Sequence, residues 1–142
     1  MYDFTGDMAY TINRTRCDNG LTPLTINGAL NTAAVNHSID MAVNNFFDHR
    51  GSDGRYVSDR ASAAGYSWVF IGENLAAGVS DVGGAFNLWW NSPGHRQNMM
   101  HPDFREMGLG VVQRAGTTYG WYWTLVLGSQ GQAPASCSDM GF

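Results

Sequence analysis

The stretch Ser67–Gly78, SWVFIGENLAAG, sets Glu73, one of only two glutamates in the chain, directly after an apolar run. Trp68 to Ile71 are β-prone residues and predict a strand or extended segment. A carboxylate at the edge of such a segment is tolerable only when other groups satisfy it. The groups that satisfy it must come from elsewhere in the chain, and the stretches FFDHRGSDG and WWNSPGHRQNMM bracket it.

Working outward from that strand, the sequence divides into helices before it and a hairpin after it. Phe4, Met8 and Ile12 recur at helical spacing, and Asn19-Gly20 and Pro23 then act as stop signals, so a first helix should end between Arg16 and Asn19. Leu30, Ala34, His37 and Met41 form the apolar stripe of a second helix, capped by Thr25 or Asn27 and running to about Asn45. The Gly- and Asp-rich DHRGSDGR must be a loop, and VSDRASAAGY reads as a short helix closed by Gly65.

On the C-terminal side, SDVGGAFNLWWN places Val82, Phe86 and Trp89 or Trp90 on one helical face behind a Ser80 or Asp81 cap. Ser92-Pro93 is a helix-start signature that puts His95 in the first turn. EMGLGVVQR and YGWYWTLVLGS, joined by a turn at Ala115-Gly116, form the clearest hairpin, and residues 130–142 read as a coil tail. Helices followed by paired antiparallel strands give an α+β single domain, with helices covering a small sheet.

Composition narrows the chemistry. At 142 residues and 44% apolar content, the chain supports one cored domain. It has no lysine, which excludes Schiff-base chemistry, a lysine-linked cofactor and a nucleotide-binding P-loop. Its net charge of −4 and singly scattered arginines exclude the basic stripe of a nucleic-acid binder. No apolar run is long enough for a transmembrane segment, and the expectation is a soluble chain, with the earlier removal of a leader left open.

Cys17 and Cys137 are the only cysteines. One end-to-end disulfide is the natural expectation and suits an exported protein, the alternative being two partly buried thiols.

HSIDMAVNNFFDHRGSDG, DRASAAGY, IGENLAAG, WWNSPGHRQNMMHPDFREMGLGV and YWTLVLG occur in that order over residues 8–129. An ordered series of five motifs is far more specific than any one of them, and this series resembles the CAP superfamily of cysteine-rich secretory, antigen five and pathogenesis-related proteins, in its bacterial secreted branch. The resemblance implies an α-β-α sandwich, a small antiparallel sheet with helices on both faces, secretion, and a central cleft lined in many members by a His-Glu-Glu-His group. Matched motif by motif, His49, Glu73 and His95 take three of those places. The fourth departs from the pattern: where relatives carry Glu three residues after a tryptophan, this chain has Ser92 after Trp89. Glu106 lies too far along to be assigned there.

Two imidazoles and a carboxylate match the ligand set of an open zinc site, so the expectation is a divalent metal, Zn²⁺, on His49, Glu73 and His95. Asn74, Ser92, Arg96 and Asn98 are expected to line the cleft, and the extracellular ligand to be a lipid, a peptide or a glycan. Metal-assisted hydrolysis of peptide or ester bonds, with Glu73 as base in place of ligand, is a second reading. A third makes the cluster a buried hydrogen-bonded network and assigns binding to aromatics. In that reading Trp121 and Trp123 share one strand face and Tyr122 takes the other. A neutral His95 would suit metal ligation or base chemistry, a charged one an ion pair with Glu73.

Other candidates are weaker. His37 reads as a core residue and His101 as a loop residue. The turn holding Arg96 and Asn98 suits capping and salt bridging better than an anion. DHRGSDG lacks the terminal glutamate of a calcium loop, and Ser92 reads as a cap, not a nucleophile. Asn13-Arg-Thr and Asn36-His-Ser match the glycosylation pattern.

Overall fold

A computed structural model describes residues 2–142. Helix α1, Phe4–Asp18, is capped by the Asp3 carboxylate, which accepts from the Gly6 amide, and it buries Met8 and Ile12. A two-residue strand β1, Thr25–Ile26, not signalled by the sequence pattern, leads into α2, Gly28–Asn44. Asn27 caps α2 through its side-chain oxygen, and Leu30, Ala34, His37 and Met41 are buried as their spacing predicts. Helix α3 spans Val57–Ala63, and Gly65, at φ +89°, provides the left-handed turn behind it.

The decisive segment is longer than its β-prone residues suggest. Strand β2 begins at Phe70 and runs to Ala77, so Trp68 and Val69 precede it and Glu73 lies inside the strand, not at the edge of an apolar run. Helices α4, Val82–Trp90, and α5, Pro93–Met99, follow, and the hairpin is β3, Glu106–Gln113, with β4, Trp121–Ser129. The sheet order is β1-β3-β4-β2, antiparallel except for the β1–β3 pair, which makes β2 an edge strand.

Alternation along the strands sorts the side chains into two layers. Val126 packs with Leu30, Ala34 and Tyr66 on the α2 face, whereas Trp123, Leu125 and Leu127 join Met8, Ile12 and Trp89 on the opposite face. The result is an α-β-α sandwich: α2 and α3 on one side, α1 and α4 on the other. Glycines let α2 sit close to the sheet, because a Cβ at Gly110 would lie 2.5 Å from backbone atoms of Ala34 and Val35. Ser38 fixes the same contact, donating to the Gly110 carbonyl.

Cys17 and Cys137 form the expected disulfide, tying the C-terminal tail to α1. The tail also carries a short 3-10 turn, Ser138–Met140, and Gln130 and Gln132 donate to the Glu106 carboxylate beside Asn27 and Tyr66. Glu106 is thereby a clasp for the tail. The aromatics of β4 lie largely in the core: Tyr122 and Trp123 are fully buried and Trp121 is half-buried against it. Among the described residues, no helix is long and apolar enough to cross a membrane.

Candidate functional site

Successive residues of an edge strand point to opposite faces, and this alternation builds the site. Glu73 pairs in register with Val126 and so faces the α2–α3 side, while Asn74 faces α5. The Glu73 side chain is 1% exposed, and its two oxygens are divided. Oε1 accepts from His49 Nδ1 at 2.9 Å, and Oε2 accepts from Arg60 Nη2 of α3 at 2.7 Å. The same Arg60 nitrogen reaches the His49 carbonyl at 3.1 Å, so one guanidinium and one carboxylate together pin the His49 loop.

Asn74 performs the matching task on the other face. It is fully buried, its Nδ2 donates to the His95 carbonyl at 3.0 Å, and its Oδ1 accepts from Asn98 at 2.9 Å. Two adjacent residues of one strand thus hold the two histidine-bearing segments, and this is why Glu73 and Asn74 sit side by side in a strand that is otherwise apolar.

A carboxylate accepts and never donates, so His49 carries its proton on Nδ1 toward Glu73 and turns Nε2 outward. Its side chain is 52% exposed. The hydrogen bond to Glu73 raises the His49 pKa above the ordinary imidazole value, against the opposing effect of burial. His95 is half-buried and pairs through Nδ1 with Ser92 Oγ at 2.7 Å. Burial, and then the nearby His49, lower its pKa. The pair is therefore split: His49 leans toward imidazolium and His95 toward neutral imidazole, and His95 is not an ionic partner of Glu73.

Several expectations need correction. Glu73 is satisfied by His49 and Arg60, not by both histidines. Ser92 occupies the N-cap position of α5 but makes no capping hydrogen bond, since its hydroxyl is engaged by His95. Among the described residues Arg96 forms no ion pair; its Nε donates to the Trp90 carbonyl at 2.6 Å and its guanidinium lies 4.6 Å from the Trp90 ring centroid. Asn74 is a buried tie, not a lining residue. Asn13 of the first glycosylation match is buried, its amide hydrogen-bonded to Leu24 on both sides.

Among the described residues, no three His, Cys, Asp or Glu side chains are gathered to hold an ion, and both Glu73 oxygens are engaged by cationic or N–H donors. What the arrangement leaves uncommitted is one imidazole edge on each side of β2. Arg60 is not among the expected site residues, although the arginine of DRASAAGY lies in one of the five motifs. Its link to Glu73 is a contact between α3 and β2 that no local spacing encodes.

This three-layer sandwich has the fold of an SCP domain. The chain belongs to CAP, the cysteine-rich secretory protein family, whose family model matches residues 9–127. It is 36% identical over 101 residues to the uncharacterized protein YkwD of Bacillus subtilis (strain 168), covering 71% of this chain and 39% of that protein. It is 32% identical over 102 residues to the uncharacterized membrane protein YlbC of the same organism, covering 72% and 30%. The chain thus spans well under half the length of these relatives. Among solved structures, an extracellular protein containing an SCP domain from Bacillus anthracis superposes with TM-score 0.78 at 28% identity over 87% of this chain and 39% of that one. An outer surface protein of Borrelia burgdorferi superposes with TM-score 0.79 at 23% identity, over 90% and 96%, a likeness of fold.

Proposed function

We propose that this chain is an exported CAP domain that recognises an extracellular ligand through the imidazole edges of His49 and His95, without turnover. The observation that carries this reading is the commitment of Glu73. With one oxygen on His49 and the other on Arg60, the carboxylate orients an imidazole and is neither a third zinc ligand nor a free general base. An open catalytic zinc takes three protein ligands, and two imidazole nitrogens do not complete that set. Export is supported by the Cys17–Cys137 disulfide, since such bonds persist in oxidising compartments, and by similarity to proteins described as extracellular or outer-surface.

The split protonation suits recognition. His49 offers charge-assisted donation to an anionic or carbonyl oxygen, and His95 offers a neutral ring. The aromatic-surface alternative loses its main carriers, because Tyr122 and Trp123 lie in the core.

The test applies labelled wild type and a His49→Ala/His95→Ala double variant to arrays of lipids, peptides and glycans, alongside a peptide and ester library with and without chelator. The expected result is array binding lost in a double variant that still melts as wild type does, with no chelator-sensitive cleavage. Binding undiminished in the double variant, or chelator-sensitive cleavage abolished by it, would overturn the proposal.

A further inference from the structure

One edge of the sheet lies open between the two histidine segments. The Gly78 amide donates to the Trp121 carbonyl at 3.0 Å, and in an antiparallel pair the ladder bonds fall on alternate residues. Phe70, Gly72, Asn74 and Ala76 therefore turn their amides and carbonyls to β4, whereas Ile71, Glu73 and Leu75 turn theirs away from it. The Leu75 carbonyl accepts from Trp89 Nε1 at 2.9 Å, which closes one end of this row. A bulge closes the other, where Val69 as well as Phe70 stands opposite Ser129 and the Val69 amide donates to the Ser129 carbonyl. Among the described residues, no protein group meets the outward amides and carbonyls of Ile71 and Glu73.

This stretch of main chain meets solvent. Glu73 as a whole is 6% exposed but its side chain only 1%, so most of what it shows is backbone. Gly72, which has no side chain, is partly exposed, and so is Ile71. The His49 ring lies on one face of the edge, tied to the Glu73 side chain, and the His95 segment lies on the other, tied to Asn74. A row of unpaired N–H and C=O groups on a strand edge is a template for a further strand.

The repeat of that edge selects the chemistry of its partner. An extended polypeptide presents paired donors and acceptors about 7 Å apart, the spacing of Ile71 and Glu73 along β2. An acyl chain would cover the same groups and satisfy none of them. The faces differ beside the edge. Alternation puts Phe70 on the Asn74 face, where it is 38% exposed, stacks on Phe104 at 4.7 Å and meets the His101 ring at 4.8 Å. The Glu73 face carries His49, whose Nε2 points outward.

We propose that the free edge of β2 at Ile71 and Glu73 receives an extended peptide segment as an added strand, with apolar side chains on the Phe70 face and polar ones on the His49 face. This names the ligand class of the site assigned above to His49 and His95, and it rests on that reading for the side-chain contacts; the backbone pairing rests on the strand edge alone.

Amide hydrogen exchange followed by NMR on the labelled chain tests it, with an acetylated and amidated hexapeptide of alternating valine and threonine as the probe. In the free protein the Ile71 and Glu73 amides should exchange faster than those of Gly72 and Asn74, which β4 protects. Peptide should slow both, about tenfold when roughly nine-tenths of the chain is bound. Whichever way the added strand runs, only one of its edges meets β2. Of two hexapeptides N-methylated at alternate amides, one should therefore keep its binding and the other lose about tenfold or more. Ile71→Pro removes one outward amide and spares the ladder to β4, as an edge strand tolerates, and should weaken binding by a similar factor. The proposal is overturned by Ile71 and Glu73 exchange that peptide up to about 10 mM leaves unchanged, by equal binding of the two methylated peptides, by an Ile71→Pro variant that binds undiminished, or by a lipid or glycan that binds at the histidines where the peptide does not. Slowed exchange that persists in the His49→Ala/His95→Ala variant would uphold the added strand and refute only the role given to the two rings.

Discussion

Replacing Glu73 by Gln removes one negative charge from a side chain that is 1% exposed while nearly preserving its shape. Arg60, 10% exposed, is then left without its 2.7 Å counter-charge. Breaking a buried pair by removing one partner costs about 3–5 kcal/mol. Glutamine keeps one carbonyl acceptor and the His49 side of the contact is half in solvent, so the lower end, roughly 3 kcal/mol, applies. For a chain of this size each kcal/mol moves Tm by roughly 2–4 °C, giving a fall of about 6–12 °C. The His49 pKa should fall at the same time, because its largest upward contribution is the hydrogen bond to Glu73. Calorimetric melts combined with proton NMR titration of the histidine rings measure both effects. A Tm unchanged by the substitution, with His49 titrating as in wild type, would refute the assignment of Glu73 as the anchor of both residues.

The other expectations follow from single features of the fold. The disulfide spans a sequence separation of 120, so on chain-entropy grounds a Cys17→Ser/Cys137→Ser variant should lose about 4–5 kcal/mol, read by denaturant unfolding; a loss under about 1 kcal/mol would contradict that expectation. Gly110→Ala drives a Cβ to 2.5 Å from the α2 backbone and should cost about 3 kcal/mol, the upper end of ordinary overpacking; a neutral effect in thermal melts would show that α2 is not held so close. With pH, His37 and His95 contribute no penalty above the ordinary value of 6.5, but their lowered folded pKa values mean that the unfolded chain takes up protons first as pH falls below it, and stability drops. His49 has the opposite sign, stabilising below 6.5 and losing that contribution as pH rises through its raised folded value. Melts between pH 5 and 8 should show His95→Asn reducing the acid loss and His49→Asn reducing the alkaline one; unchanged profiles in both variants would contradict the split.

Much of the sandwich is legible because it rests on periodicity. The α2 stripe, the Asn27 cap and the hairpin strands are local signals, and the structure places them within a residue or two. Strand β2 reads short in the sequence because Asn74, Ala76 and Ala77 have little intrinsic β preference; pairing with β4 over eight residues supplies what propensity lacks. The histidines emerge from motif order, not from any spacing. Glu73 looks like a ligand in the sequence because composition cannot show that Arg60, on another element, occupies its second oxygen. Ser92 carries a capping signature, yet His95 lies one turn away and takes the hydroxyl first. The paired aromatics of β4 are ambiguous for a related reason: alternation tells which residues share a face, but not that helices cover both faces.

The central claim is that Glu73 fixes His49 with its proton on Nδ1 and turns Nε2 toward solvent. Long-range proton–nitrogen NMR on nitrogen-labelled protein, above the His49 pKa and with zinc then added, reads that directly. The account predicts the Nδ1–H tautomer before zinc and after it, with any zinc response confined to the Nε2 nitrogens of His49 and His95. An Nε2–H tautomer at His49, or a zinc response at Nδ1 accompanied by a shift of the Glu73 carboxylate carbon, would contradict it.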